Sequence, residues 1–170
     1  MPQVFVSIGS NQDRERNVSR AVCELGDAFG NVRVSSVYET DSVGFDGDPF
    51  FNLVASFQTN LSVDELLDRL RAIETLCGRV RTTKRYGPRS MDIDILTYGD
   101  FISDDESLEI PRSEILREAY VLKPLVDLAP HAVHPQLGES YFALGQRLGL
   151  SESGVRLIDF DPYRPPGDDA

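Results

Sequence analysis

The order of strand-type and helix-type patterns constrains the fold of this chain more than any other feature. Apolar residues alternate with polar ones where strands are expected, and they recur every third or fourth residue where helices are expected. The patterns follow one another as strand, helix, strand, strand, helix and strand, over residues 2–11, 13–29, 32–40, 50–59, 62–78 and 90–99. This order predicts an α+β, ferredoxin-like βαββαβ core, in which an antiparallel sheet carries its helices on one face.

Local signals mark both ends of the second predicted helix. Ser62 is followed three residues later by Glu65, which is the pattern of a capping box, and Gly78 ends the helix. Between them lies an apolar stripe at helical spacing, formed by Leu66, Leu67, Leu70, Ile73 and Leu76. The stripe predicts that one face of this helix packs against the sheet.

The sequence after the core predicts C-terminal helical additions. One helix is expected to begin near Ser113 and to be interrupted at Pro124, and a short one is expected over residues 142–148. We expect residues 1–150 to form a single domain. The remainder, residues 151–170, is rich in Pro, Gly and Asp and is expected to form a peripheral tail.

The acidic charge of the chain limits its partners. Its 170 residues carry a formal net charge of -11, which would repel a nucleic acid or an anionic membrane surface. No apolar stretch approaches the length of a membrane span, and the N-terminus lacks the pattern of a secretion signal. We therefore expect a cytoplasmic, monomeric protein that binds small molecules and binds neither nucleic acid nor membrane.

One stretch stands out against this acidic background. It contains five basic residues and no acidic one, namely Arg79, Arg81, Lys84, Arg85 and Arg89. Their charges repel one another, and a bound anion would relieve that repulsion. Arginine side chains match phosphate oxygens with paired hydrogen bonds, so phosphate is the anion that this cluster favours. Charge runs also occur on ordinary solvated surfaces, and the cluster alone leaves both interpretations open.

A pair of aspartates follows in the next predicted strand. Side chains two residues apart share a face of a strand, so Asp92 and Asp94 point to the same side. Met91, Ile93 and Ile95 point to the other side, into the core. The carboxylates would lie about 6–7 Å apart and repel each other unless a cation such as Mg²⁺ binds between them. Alternation of apolar and polar residues is ordinary in strands. Aspartate, however, is a poor strand former, so two aspartates in one strand favour a functional role.

The basic cluster and the carboxylate pair together have the parts that phosphoryl transfer needs. Arginines and a metal ion hold the phosphates and neutralise the charge that develops in the transition state. The nucleotide-binding motif GxxxxGK[ST] is absent from the sequence, and so is the glycine loop of protein kinases. A nucleotide would therefore be bound by a site of another type.

The stretch RYGPRSMDIDIL, residues 85–96, resembles the signature of the 6-hydroxymethyl-7,8-dihydropterin pyrophosphokinases of folate synthesis. Flanking blocks in the same order add to the resemblance, namely SIGSN, YET, FFNLV, IETLCGRVR and PLVDLAPHAVHP. The resemblance implies a Mg²⁺-dependent ATP:pterin diphosphokinase. Such an enzyme moves the terminal pyrophosphoryl group of ATP to the hydroxymethyl oxygen of the pterin and releases AMP. ATP as co-substrate and two Mg²⁺ ions are implied with it.

The resemblance also implies roles for individual residues. Asp92 and Asp94 would bind the two Mg²⁺ ions, and together with Arg79 and Arg89 they would be the catalytic residues. The implied ATP contacts are Arg71, Glu74, Arg79, Arg81, Arg85, Arg89, Ile95 and Arg112. The implied pterin contacts are Thr40, Val43, Phe50, Asn52, Tyr86 and Tyr120.

Some positions depart from the family pattern. Arg112 stands where the family usually has histidine, and Glu118 stands where an arginine is expected near the phosphates. Arg117 precedes that position by one residue, which on a helix turns the side chain by about 100°. Two alternatives therefore stay open at this point. One is a diverged paralogue that acts on another pterin or nucleotide, and the other is a non-catalytic pterin- or nucleotide-binding protein.

Overall fold

The computed structural model describes residues 1–42, 47–78 and 91–163. The strands are β1 (Gln3–Ser10), β2 (Arg33–Val34), β3 (Val37–Thr40), β4 (Phe50–Gln58), β5 (Asp92–Tyr98) and β6 (Val155–Ile158). The helices are α1 (Arg14–Phe29), α2 (Val63–Leu76), α3 (Ala119–Leu128) and α4 (Tyr141–Leu148), and a short 3-10 helix spans Ser113–Leu116. None of the helices in these described ranges is long and apolar enough to cross a membrane.

The strands form one antiparallel sheet in the order β5-β1-β4-β3-β6, and β2 is paired with β4 as well. In chain order, β1 is followed by α1, the β3–β4 pair is followed by α2, and β5 then returns to the other side of β1. This is the arrangement of a ferredoxin-like core. The predicted α+β fold is confirmed.

The helices α1 and α2 cover one face of the sheet. From β1, Val6 and Ile8 pack on this side, and Met91, Ile93 and Ile95 do the same at the start of β5. All five side chains are buried, as the alternation in the sequence predicts. Burying an aliphatic side chain contributes about 1.5–3 kcal/mol, so this layer is a main source of the stability that holds the helices on the sheet.

The opposite face of the sheet is covered by α3 and α4. Phe5, Val54 and Leu96 of the sheet pack there in one cluster with Leu125 of α3 and Leu144 of α4. The core helices α1 and α2 thus lie on one face as predicted, and the C-terminal helical additions cover the other. The central strands carry apolar residues on both faces, and the helices that follow the core bury the second set.

The third helical region is interrupted earlier than the sequence predicts. A 3-10 helix precedes α3, which begins only at Ala119, whereas Pro124 lies inside α3. Proline removes one helix hydrogen bond and destabilises the helix. Leu122 and Leu125 are buried against the sheet, and this burial offsets the loss, so that the helix continues past the proline.

The segment after residue 150 contributes a strand that the sequence analysis did not predict. β6 pairs with β3 so that Val155 lies beside Thr40. A tight turn leads into it, in which the N–H of Val155 donates to the carbonyl of Glu152 at 3.0 Å. Gly154 adopts a φ of 79° in this turn, a value that favours glycine. The boundary at residue 150 stays a prediction, but the strand beyond it is part of the sheet.

The predicted capping box closes the N-terminus of α2. The N–H of Glu65 donates to Ser62 Oγ at 3.2 Å, and the N–H of Ser62 donates to Glu65 Oε1 at 3.1 Å. Ser62→Ala removes the first of these bonds. We expect the free energy of unfolding, measured in urea, to fall by about 1 kcal/mol.

Ser36→Ala is the control for this prediction. Ser36 is exposed between β2 and β3, and we expect its replacement to change the free energy of unfolding by less than about 0.5 kcal/mol. Equal losses in the two variants would contradict the capping role of Ser62.

Candidate active site

Strand pairing brings the predicted metal and pterin residues onto one face of the sheet. Directly paired residues point to the same face, and Gly9 of β1 is paired with Asp92 of β5 on one side and with Asn52 of β4 on the other. Adjacent strands lie about 4.8 Å apart, so Asp92 and Asn52 are separated by about 10 Å across β1. Val54 follows Asn52 by two residues and packs with α3, so this is the face that α3 covers.

A cavity of about 560 Å³ opens on this face. Seven of the predicted site residues line it, namely Thr40, Phe50, Asn52, Asp92, Asp94, Arg112 and Tyr120. The sheet supplies five of them, and the chain between β5 and the first turn of α3 supplies Arg112 and Tyr120. Residues predicted to bind metal, ATP and pterin therefore share one space.

Three predicted ATP contacts within the described ranges do not line the cavity. Ile95 is buried in the core on the other face of the sheet, because it alternates with Asp94. Arg71 is exposed on α2. Glu74 is buried beneath β5, where it accepts a hydrogen bond from the N–H of Ile93 at 3.0 Å. The core position excludes side-chain contact between Ile95 and a ligand in the cavity, and the ATP contacts of Arg71 and Glu74 stay predictions.

Six predicted site residues lie outside the described residues. They are Val43, Arg79, Arg81, Arg85, Tyr86 and Arg89. The phosphate-binding role of the basic cluster therefore stays a prediction, and so do the pterin contacts of Val43 and Tyr86.

The carboxylate pair lies beside a cation. Arg112 Nη2 is 3.9 Å from Asp94 Oδ2 and 2.9 Å from Glu114 Oε1. Arg112 Nε donates to the same Glu114 oxygen at 2.9 Å. Among the lining residues that the structure describes, Arg112 is the one basic side chain. Glu114 therefore holds a guanidinium group next to Asp94.

Glu118 occupies the position where the resemblance implies an arginine. Glu118 lines the cavity, whereas Arg117 is exposed and its Nη2 donates to Ser113 Oγ at 2.8 Å. Arg117 therefore does not line the cavity. Among the lining residues that the structure describes, Arg112 supplies the positive charge.

The surroundings of Asp94 raise its pKa. Burial is the largest cause, Arg112 opposes it, and the charges of Asp92 and Glu114 add to it. Together they raise the pKa of Asp94 from 3.8 to about 6. A carboxyl group with a raised pKa in a cleft is typical of a functional site, and a bound cation would favour its charged form.

Asp92 and Asp94 fit a Mg²⁺ site. Mg²⁺ takes oxygen ligands and keeps several waters, so proteins usually bind it through one or two carboxylates together with phosphate oxygens of a substrate. Two carboxylates on one face of a strand match that pattern. Over the described ranges, no group of three or more His, Cys, Asp or Glu side chains is arranged to hold a metal ion. Substrate oxygens and water would therefore complete the coordination.

Asn52 is held in one orientation at the centre of the cavity. Its Nδ2 donates to Thr40 Oγ1 at 2.7 Å, and both residues are buried. Gly9 leaves room for the amide group, because a Cβ at that position would lie 3.3 Å from Asn52 Oδ1. Thr40 thus fixes the amide, and the absence of a side chain at Gly9 leaves space for it.

Sequence reasoning missed several residues that line the cavity. They are Ser7, Gly9, Asp41, Glu114, Ser151, Ser153, Gly154 and Val155. Ser7 and Gly9 alternate with core residues of β1, which is the signal that identified Asp92 and Asp94, and that signal could have found them. Of the others, Glu114 lies in the 3-10 helix, Val155 begins β6 and the rest lie in connections, and no local pattern reveals where these segments run.

A family model matches most of the chain. The model of the 7,8-dihydro-6-hydroxymethylpterin-pyrophosphokinase (HPPK) family matches residues 5–130. The chain belongs to the HPPK family. The family predicted from the motif in residues 85–96 is confirmed. The match also includes all the described residues from Ser7 to Val121 that line the cavity.

Curated relatives agree with the HPPK assignment. The 2-amino-4-hydroxy-6-hydroxymethyldihydropteridine pyrophosphokinase of Pseudomonas aeruginosa is 40% identical over 132 residues, which are 75% of this chain and 81% of that protein. The Bacillus subtilis protein of the same name is 34% identical over 155 residues, which are 89% of this chain and 92% of that protein. The folic acid synthesis protein fol1 of Pneumocystis carinii is 37% identical over 145 residues, but the chain spans only 20% of its length.

Solved structures share the fold. Wild-type HPPK-DHPS of Plasmodium falciparum matches with a TM-score of 0.65 at 15% identity, over 86% of this chain and 44% of that chain. The same protein solved with STZ-DHP matches with a TM-score of 0.68 at 14% identity, over 92% of this chain and 45% of that chain. At these identities the likeness shows the HPPK fold alone, and this chain spans less than half of either structure.

The raised pKa of Asp94 predicts a pH-dependent stability. Without a bound metal, this carboxyl group keeps its proton up to about pH 6 in the folded protein, and loses it near pH 3.8 in the unfolded chain. Between these values the folded state binds more protons, so the contribution of the group to stability falls as the pH rises. Asp94→Asn removes the charge. In EDTA at about pH 7.5, we expect its melting temperature to exceed that of the wild type by a few degrees.

Scanning calorimetry at two pH values provides the control. At about pH 4.5 the carboxyl group is protonated in the folded wild type, so the melting temperatures of the two proteins should converge. A difference of the same size at both pH values would contradict the raised pKa.

Proposed function

We propose that the protein transfers the pyrophosphoryl group of ATP to the hydroxymethyl oxygen of 6-hydroxymethyl-7,8-dihydropterin and releases AMP, with Mg²⁺ bound by Asp92 and Asp94. One observation carries the proposal: the carboxylate pair lies in the same cavity as the fixed amide of Asn52 and two aromatic side chains. The names of the relatives from Pseudomonas aeruginosa and Bacillus subtilis describe this kind of pyrophosphokinase.

The β3–β4 side of the cavity suits a pterin ring. Phe50 and Tyr120 are half-buried aromatic side chains that line it, and a flat heterocycle stacks favourably on such rings. The amide of Asn52, held by Thr40, presents both a donor and an acceptor group. A flat ligand with hydrogen-bonding groups along its edge is the ligand that this side favours.

The β5 side of the cavity suits a triphosphate. Asp92 and Asp94 provide the metal ligands there, and Arg112 provides positive charge, held in place by Glu114. The predicted phosphate-binding arginines, Arg79, Arg81, Arg85 and Arg89, follow α2 and directly precede this strand in the sequence. They would add the charge that a triphosphate requires.

The proposed reaction replaces one P–O bond by another. The hydroxymethyl oxygen forms a bond to the β-phosphorus of ATP, the bond from that phosphorus to the oxygen bridging to the α-phosphate breaks, and AMP leaves with that oxygen. The hydroxyl proton passes to water. When bound, Mg²⁺ supplies neutralisation of the charge on the phosphate oxygens.

The residues of the chain contribute position and charge. Asn52, Phe50 and Tyr120 orient the pterin so that its hydroxymethyl group faces β5, and Arg112 balances negative charge at the phosphates. Orientation of two bound reactants and preorganised charge account for large accelerations of such reactions. The mechanism therefore requires no strong general base.

Release of AMP tests the proposed function. The protein incubated with Mg²⁺-ATP should release AMP only when 6-hydroxymethyl-7,8-dihydropterin is added, and EDTA should abolish the release because the phosphates lose their counterion. Chromatography of the nucleotides separates AMP from ADP. AMP released only with a different acceptor would indicate a paralogue with another substrate, and no AMP under any condition would indicate a binding protein.

Substitution of the carboxylates tests the metal site. In Asp92→Asn and Asp94→Asn we expect kcat to fall by at least about a hundredfold, because charge neutralisation at the transferred group is lost. Titration calorimetry with Mn²⁺ should show weaker metal binding in both variants. Asp100→Asn, an exposed acid in the turn after β5, is the matched control and should behave as the wild type. Normal turnover in Asp94→Asn would refute the metal assignment.

A further inference from the structure

The C-terminal segment forms one end of the cavity. Ser151, Ser153, Gly154 and Val155 line it, from the turn before β6 and from the first residue of that strand. All four follow residue 130, where the match to the HPPK family model ends. This end of the cavity is therefore built by a part of the chain that lies beyond the match to the family model.

The sheet register places this end far from the carboxylate pair. Val155 is paired with Thr40, and Thr40 is paired with Phe50, so three adjacent strands present neighbouring side chains to one face. From β5, which carries Asp92, four strand spacings lead to β6, a distance of about 19 Å. The residues of the pterin side lie between these two ends.

The geometry sets the direction of a substrate that reacts near Asp92. Its hydroxymethyl group has to point toward β5, so the opposite edge of the ring points toward β3 and β6. In a pteridine substituted at position 6, that edge carries the 2-amino group. The hydroxyls of Ser151 and Ser153 and the carboxylate of Asp41, which also lines the cavity, are acceptors suited to an amino group.

Arg156 fixes β6 beside β3. Its Nε and Nη2 donate to Glu39 Oε1 at 3.1 and 3.0 Å, and Nη2 donates to Asp41 Oδ1 at 3.0 Å. Arg14 donates to the other carboxylate oxygen of Glu39 at 2.7 Å and holds that side chain in place. Asp41 is therefore in contact with β6 through Arg156 while it lines the cavity.

A second set of contacts fixes the turn that precedes β6. Lys123 Nζ of α3 lies 2.9 Å from Glu152 Oε1, and the carbonyl of Glu152 accepts from the N–H of Val155 at 3.0 Å. A Cβ on Gly154 would lie 3.6 Å from Asp41 Oδ2, so the turn packs closely against Asp41. The segment is thus attached both to the sheet and to α3.

We propose that residues 151–155 form the wall of the cavity at its β6 end, opposite the carboxylate pair. This wall selects pteridines by the size of the group at position 2. Arg156 is a positioning residue, which touches no substrate and acts through β6 and Asp41. This inference rests on the proposed function. A 2-amino group fits against the wall, whereas a dimethylated amino group collides with it.

Binding of two fluorescent probes tests the inference, in the presence of Mg²⁺ and a non-hydrolysable ATP analogue. The probes are 6-hydroxymethylpterin and its 2-dimethylamino analogue. The wild type should bind the first at least about tenfold more tightly, which corresponds to about 1.4 kcal/mol. Arg156→Met loosens the wall, so we expect weaker binding of the first probe and a smaller preference between the two. Arg156→Lys keeps a positive charge and should restore part of the preference.

Arg147→Met is the matched control for the Arg156 variants. Arg147 of α4 makes an exposed ion pair at 2.9 Å with Glu139, which precedes that helix, and neither residue lines the cavity. Its replacement removes an interaction of the same kind and should leave both affinities unchanged. Steady-state kinetics add a second readout: in Arg156→Met the KM for the pterin should rise, while the KM for ATP and the kcat at saturation stay those of the wild type.

Ser153→Phe tests the wall without removing an ion pair. The added ring occupies space at this end of the cavity, so binding of 6-hydroxymethylpterin should weaken while the melting temperature stays that of the wild type. Wild-type affinity in Ser153→Phe overturns the wall, and an unchanged probe preference in Arg156→Met overturns the role of Arg156. A wild-type protein that binds neither probe refutes the proposed function itself.

Discussion

The pairing of β1 with β4 and β5 is the constraint on which the rest of the site depends. Side chains alternate between the two faces of a strand, so the register that buries Ile8 and Ile93 also turns Asp92 toward Asn52. A shift of one residue would exchange the two faces and put the carboxylates into the core. The same apolar contacts that stabilise the fold therefore determine where the charges of the site lie.

The charges in the cavity oppose the stability of the folded protein. Burial and neighbouring carboxylates raise the pKa of Asp94, which means that its charged form is disfavoured in the fold. Arg112, held by Glu114, offsets part of this cost. A chain under selection for stability alone would place a neutral residue at position 94. Functional sites commonly reduce stability in this way, and the raised pKa of Asp94 is typical of such a site.

Local patterns in the sequence were sufficient to predict the strands and helices of the core and the face on which the carboxylates lie. Alternation identified the face that Asp92 and Asp94 share, and the order of strands and helices predicted the α+β core. The pairing of β6 with β3 depends on contacts between distant parts of the chain, and its four residues carry no clear alternation. The contact of Arg112 with Asp94 likewise depends on a long-range contact, because the N–H of Arg112 donates to the carbonyl of Leu96 in β5 at 2.9 Å.

β6 also protects the outer edge of the sheet. An uncovered strand edge presents a row of free N–H and C=O groups, onto which a strand of another molecule can add, and such addition leads to aggregation. β6 covers that edge of β3 with a strand of only four residues, and it carries the charged side chain of Arg156. Short, charged edge strands make poor templates for further pairing. Loss of the C-terminal strand would therefore lower the solubility of the protein at high concentration.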